Sequence, residues 1–210
     1  MDTLDFILRK FAISPNGQPP IEISGMTREK LAALFSELGF RNGAEIGVRE
    51  GEFSEILCQA NPQLELFSVD PYHVHPDYKF GRGNEENANA TFLRAIKRLE
   101  PYNCSLVRHF SMDAVQQFGP ESLDFVYIDG NHEFRNVVDD ISEWSKRVRK
   151  GGIVSGHDYA IFNNHSKREL IQVFHAVTAY TQAYEINPWF VLGRHREPGG
   201  DKHRSWMWVK

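Results

Sequence analysis

A chain of 210 residues, 41% hydrophobic and 25% charged, is long enough for one globular domain with a substantial core. A formal net charge of −4 excludes the global basic field on which non-specific nucleic-acid binding depends. No apolar run approaches the roughly 20 residues that span a bilayer. The acidic opening Met1-Asp2-Thr3-Leu4-Asp5 lacks the basic start of a secretory signal, so a cytoplasmic protein is expected. Cys58 and Cys104 lie in apolar contexts without metal-type spacing and read as reduced thiols.

In chain order, Leu4, Ile7, Leu8 and Phe11 recur at helical spacing and predict a helix over 2–12. Asn16-Gly17-Gln18-Pro19-Pro20 breaks it. Thr27 is the expected N-cap of a second helix that buries Leu31, Leu34, Phe35 and Leu38 and stops at Gly39. Strand and helix then alternate. Strands are expected at 43–48, 64–69, 104–110, 123–128 and 153–156. Helices are expected around Phe53–Ala60, then at 84–99, 112–118, 134–149 and 167–180. Two closing strands, 189–192 and 206–209, follow without a helix between them, and Trp206 and Trp208 read as packing residues. This order predicts an α/β fold: a seven-stranded, mostly parallel sheet with one antiparallel terminal strand and helices on both faces. Residues 1–40 read as an N-terminal helical extension or cap, and 41–210 as the main domain.

The densest signal is Glu45-Ile46-Gly47-Val48-Arg49-Glu50-Gly51, followed by Phe67-Ser68-Val69-Asp70. Gly47 lets the backbone approach a ligand, Gly51 keeps the next helix close to its strand, and Asp70 offers two acceptors to a ribose diol. The pattern is E-x-G-x-x-x-G rather than G-x-G-x-x-G, which disfavours a dinucleotide and points to a ribose-bearing cofactor without a diphosphate.

In open α/β sheets, ligands bind beyond the carboxyl ends of the strands. Polar residues gather at those ends: Gly47, Asp70, Ser111-Met112-Asp113, Asp129-Gly130-Asn131-His132, and His157-Asp158-Tyr159. The irregular segment 71–83 carries His73, His75 and Tyr78 and reads as a substrate lid.

On these residues the chain resembles the class I S-adenosylmethionine-dependent methyltransferases, a Rossmann-like fold, and among them methyltransferase family 24. The resemblance is carried by Ile128-Asp129-Gly130-Asn131-His132-Glu133-Phe134 and by Gly151-Gly152-Ile153-Val154-Ser155-Gly156-His157-Asp158-Tyr159. Two departures are Phe134, where the family commonly has Tyr, and Asn131, where Asp is frequent.

The resemblance implies S-adenosyl-L-methionine as cofactor. Glu45, Gly47 and Gly51 would surround its methionine part, and Asp70 would take the ribose hydroxyls. Ser111, Met112 and Asp113 would face the adenine, and Asp129 would lie near the reactive methyl. Asp129, His132, His157 and Asp158 form the expected catalytic group, with either histidine as base. Asp129, His157 and Asp158 also suit a divalent cation, Mg2+ or Mn2+.

The expected acceptor is a small molecule methylated at oxygen, such as a sugar, glycan precursor or natural-product hydroxyl. Neither a nucleic-acid nor a membrane partner is expected, and a homodimer would bring a second subunit to the acceptor side. The competing readings are a cofactor-binding regulatory protein that has lost transfer, and a protein or nucleic-acid methyltransferase.

Overall fold

The computed structural model describes residues 2–14, 17–73, 84–161, 171–195 and 197–210. Its centre is an eight-stranded sheet. The strands are β1 (Ile21–Ile23), β2 (Asn42–Ile46), β3 (Glu65–Val69), β4 (Cys104–Val107), β5 (Leu123–Ile128), β6 (Val148–Tyr159), β7 (Phe190–Leu192) and β8 (Arg204–Val209). They lie in the order β1-β7-β8-β6-β5-β2-β3-β4. Every pairing is parallel except those of β8 with β6 and β7. The mostly parallel α/β sheet expected from the sequence is therefore present, with the last strand inserted antiparallel between β6 and β7.

The helices are α1 (Thr3–Lys10), α2 (Arg28–Glu37), α3 (Glu52–Ala60), α4 (Glu85–Leu99), the short α5 (Ser111–Ala114), α6 (Phe134–Ser145) and α7 (Val173–Ala183). Side chains that ought to begin helices do so. Asp2 accepts from Leu4 N, Thr27 from Lys30 N, and Asn84 from Asn87 N, each satisfying an otherwise orphaned donor.

The expected strand 104–110 ends at Val107 and the expected strand 153–156 extends over Val148–Tyr159, and three larger details also differ from the pattern of the sequence. Strand β1 is an eighth strand, too short to show an alternation, and it pairs with β7 through Ile21↔Phe190 to Ile23↔Leu192. Helix α6 stops at Ser145 rather than running to 149, because Val148 is captured by the sheet opposite Leu123. The expected helix over 167–180 is seen as α7 from Val173, and its first residues lie outside the described segments.

Alternation along β5 divides the core. Phe125 and Tyr127 face α1, α2 and α3, joining Ile7, Leu31, Leu34 and Phe35. The Phe35 and Phe125 rings stack with centroids 4.0 Å apart. Val126 and Ile128 face α6 and α7, joining Trp144, Val177, Trp206 and Trp208. Thus α1, β1 and α2 supply part of one core layer and not only a cover over it. Trp206 and Trp208 are buried and stack on each other at 5.1 Å, in the packing role expected of them.

The topology also decides where a ligand can sit. From β2 the chain moves outward to β3 and β4, then returns to place β5 on the other side of β2. The carboxyl ends of β2 and β5 are thus a switch point, where helices leave in opposite directions and open a crevice.

Candidate functional site

The glycine turn occupies that crevice. Gly47 has φ +91°. Its N–H donates to the Val69 carbonyl at 2.9 Å, while Asp129 N–H donates to the Ile46 carbonyl at 2.7 Å. The ends of β2, β3 and β5 are stitched together here. Arg49 and Gly51 also have positive φ, 54° and 78°, so the backbone winds tightly before α3 begins. Gly51 packs against Leu99 of α4.

Asp70 organises the turn. Its Oδ2 accepts from the backbone N–H groups of Val48 and Arg49, both at 3.0 Å. Its Oδ1 accepts from Tyr72 N at 2.9 Å. One carboxylate thus fixes the chain on both sides of the crevice and keeps lone pairs for a ligand.

Glu45 lies deeper, only 2% exposed, in register with Ser68 and Tyr127. The Ser54 hydroxyl donates to its Oε2 and lies 2.8 Å from the Ser68 hydroxyl. Burial drives the Glu45 carboxyl well above the usual carboxylate range, against the opposing pull of the Ser54 hydrogen bond.

At the end of β4, Ser111, Met112 and Asp113 form the first turn of α5. The Ser111 hydroxyl donates to Asp140 Oδ1 at 2.5 Å and accepts from Trp144 Nε1 at 2.8 Å, so it is turned toward α6. Met112 packs against the core, and Asp113 is exposed.

Burial holds the Asp140 carboxyl up to about 7, although the Ser111 hydroxyl pulls it down. The folded state therefore binds this proton at a pH where the unfolded chain has released it. The stabilising contribution is complete at low pH and is lost as pH rises toward about 7. Asp140→Asn removes the titration. Relative to the variant, the wild type is expected to lose about 2–3 kcal/mol of unfolding free energy between pH 5 and pH 8. Urea denaturation of both proteins across that range measures the difference, and parallel pH curves would contradict the assignment.

The second half of the site comes from the ends of β5 and β6. In a regular strand His157 and Asp158 would point to opposite faces. Here the pairing of β6 with β8 shifts register between Gly156 and Tyr159, and Asp158 takes φ +58°. This bulge turns both side chains toward one place, with His157 Nδ1 lying 3.4 Å from Asp158 Oδ1. His132 Nε2 stands 2.8 Å from Asp158 Oδ2 and 3.5 Å from Asp129 Oδ1. His157 Nδ1 lies 3.7 Å from Asp129 Oδ2.

Asp129, His132 and Asp158 each present a ligand atom within 4.8 Å of the others, a separation that one divalent cation can bridge. Asn131 is used otherwise, its Oδ1 accepting from Glu133 N at 2.9 Å to shape the entry to α6.

Charge dominates this cluster. Burial opposes ionisation of Asp158, but the His132 and His157 imidazoles outweigh it and hold the carboxyl far below its ordinary range. Burial likewise works against protonated His132, but hydrogen bonds to Asp129 and Asp158 win and lift it to about 9. His157 is raised by the same two carboxylates. The buried Asp158 and half-buried Asp129 carboxylates thus create a place that attracts positive charge.

A fifth member is His203, whose Nδ1 lies 2.5 Å from Asp158 Oδ1. No local pattern marks it: it sits in the connection between β7 and β8 and meets Asp158 only because β8 pairs with β6. Of the lid residues, His73 pairs with Glu85 at the start of α4 at 2.8 Å, and its ring stands edge-on to Phe110 at 6.1 Å. His75 and Tyr78 lie outside the described residues.

Among solved structures, the chain is similar to an O-methyltransferase from Bacillus cereus in complex with SAH, with 19% identity and a TM-score of 0.65. That match covers 99% of this chain and 90% of the other. The O-methyltransferase TomG from Streptomyces achromogenes, in complex with SAM, aligns at 15% identity and TM-score 0.59 over 100% and 90% of the two chains. The N-methyltransferase NodS from Bradyrhizobium japonicum aligns at 16% identity and TM-score 0.55 over 87% and 94%. At these identities the likeness is one of fold.

An uncharacterized protein of Acanthamoeba polyphaga mimivirus is 24% identical over 149 residues, and the match takes in 69% of this chain and 62% of that relative's length. The model of methyltransferase family 24, described as a methyltransferase domain, matches residues 44–159, which run from within β2 to the end of β6. The chain belongs to this family, within the class I S-adenosylmethionine-dependent methyltransferases.

Proposed function

We propose that the protein methylates a hydroxyl oxygen of a small-molecule acceptor, such as a sugar, glycan precursor or natural-product hydroxyl, with the help of Mg2+ or Mn2+. The observation that carries the reading is the convergence of Asp129, His132, His157 and Asp158 beside the Gly47 turn. Fold alone would not choose this chemistry, since one fold hosts many activities. S-adenosyl-L-methionine supplies an electrophilic methyl group, and a bound dication lowers the pKa of an acceptor hydroxyl.

The residues fit both groups. Asp70 and the backbone it anchors lie where a ribose would be held, and Asp129, His132 and Asp158 present the mixed oxygen and nitrogen donors of a cation site. With His132 in that set, His157 is the base. Its Nδ1, where a proton would be taken, lies 3.4 Å from Asp158 Oδ1 and 3.7 Å from Asp129 Oδ2, which stabilise the imidazolium as it forms. The Gly47 turn abuts the Asp129 backbone at the end of β5, so cofactor and acceptor sites are set at a fixed separation by backbone contact, which is what an in-line displacement demands.

Calorimetric titration with S-adenosylhomocysteine, with and without Mg2+ or Mn2+, tests the reading. Micromolar binding that changes with the cation is expected, and screening of hydroxyl acceptors follows from it. Absence of S-adenosylhomocysteine binding in both conditions would sink the proposal.

A further inference from the structure

We propose that His203 is a positioning residue of the cation site, holding the Asp158 carboxylate in its ligating orientation; the inference rests on the cation reading above.

Asp158 needs such support. It sits at a bulge with φ +58°, where the strand no longer dictates the direction of its side chain. Two imidazoles lie at hydrogen-bond distance from its carboxylate, His132 Nε2 at 2.8 Å from Oδ2 and His203 Nδ1 at 2.5 Å from Oδ1, while His157 Nδ1 stands farther off, 3.4 Å from the same Oδ1. An ionised carboxylate only accepts hydrogen bonds, so the proton of the second contact is on His203 Nδ1.

The two imidazoles are not equivalent. His132 Nε2 also lies within 3.5 Å of Asp129 and belongs to the set of three donors. A nitrogen that coordinates a cation carries no proton and cannot at the same time donate to Asp158. His203 is then the nearer of the two imidazoles on Oδ1, 2.5 Å against 3.4 Å for His157, and orients the carboxylate, as outer partners of ligating carboxylates commonly do.

The connection carrying His203 is fastened independently of its imidazole. Glu197 accepts from the Ser24 hydroxyl at 2.6 Å and from Gly25 N at 2.9 Å. Asp201 Oδ2 accepts from Arg28 N, at the start of α2, at 2.8 Å. Arg204 pairs with Glu22 at 2.5 Å. These contacts to the segment 22–28 keep the loop in place when the imidazole is removed, so the substitution tests orientation rather than folding.

The experiment is Mn2+ titration of wild type, His203→Ala and His203→Asn, followed by the electron paramagnetic resonance signal of free Mn2+. Binding of S-adenosylhomocysteine without metal is measured alongside. His203→Ala is expected to weaken Mn2+ binding about 10–100-fold. His203→Asn, which keeps an N–H near the Nδ1 position, is expected to recover most of that loss. Metal-free S-adenosylhomocysteine affinity is expected to stay at the wild-type level in both variants. Wild-type Mn2+ affinity in His203→Ala would overturn the inference, as would an asparagine variant no better than alanine. Failure of the wild type itself to bind Mn2+ would overturn the cation reading together with this inference, while retained S-adenosylhomocysteine binding would leave the methyltransferase reading standing.

Discussion

Replacement of Asp70 by alanine is expected to weaken S-adenosylhomocysteine binding by at least about 100-fold, because the proposed ribose acceptors are removed and the turn that would hold the cofactor loses three hydrogen bonds at once. The carboxylate accepts from Val48 N and Arg49 N on one side of the crevice and from Tyr72 N on the other. Without it, the two backbone donors of the glycine turn lose the group that orients them, and the ribose loses its proposed acceptors. Asp70→Asn separates these effects. It keeps one acceptor oxygen for the turn but loses the charge, so an intermediate affinity is expected. Calorimetric titration of the three proteins, with thermal melts to follow the fold, gives the comparison. Equal affinity in wild type and Asp70→Ala would remove the cofactor from this crevice.

How much of the fold and the site is legible in the sequence depends on how local each feature is. The parallel sheet is legible because apolar strands alternate with amphipathic helices, and the strand ends are legible because polar residues follow apolar runs directly. Asp70, Asp129 and Asp158 stand out for that reason alone. The features that escape the sequence are set by tertiary pairing. Strand β1 has three residues and exists because β7 offers it hydrogen bonds. The apolar period of α6 continues to Val148, but Leu123 takes that residue into the sheet. Ser111 lies at a strand end, yet its hydroxyl is drawn to Asp140 and Trp144. The bulge that brings His157 and Asp158 to one side is invisible in a run that reads as ordinary strand and loop. His203 is the extreme case, 45 residues from its partner and delivered by the closing hairpin. Candidate site residues that directly follow an apolar strand are thus legible, whereas contacts delivered to them from other strands are not.

Gly47→Ala is expected to cost more than any other single methyl group in the molecule's binding crevice. The added Cβ would stand 2.1 Å from the Asp129 carbonyl oxygen, 2.5 Å from its carbon and 2.6 Å from Gly130 Cα. All three are backbone atoms, so no rotamer change relieves the clash. The residue would also be held at φ +91°, outside the regions that L-residues favour. The ends of β2 and β5 must move apart, which breaks the 2.7 Å hydrogen bond from Asp129 N to the Ile46 carbonyl. Left-handed strain, overpacking and one lost hydrogen bond together give a destabilisation of about 3–5 kcal/mol. Gly130→Ala is the matched control on the facing strand end. Its Cβ would meet nothing nearer than Ile46 Cγ2 at 3.6 Å, an ordinary contact. Chemical denaturation should therefore show a large loss for Gly47→Ala and a change within about 1 kcal/mol for Gly130→Ala. Because Asp129 moves with the clash, the Gly47 variant is also expected to lose Mn2+ binding, although Gly47 carries no ligand atom of its own. Two variants of equal stability would mean that the turn does not press on β5, and the fixed separation between cofactor and acceptor sites would lose its structural basis.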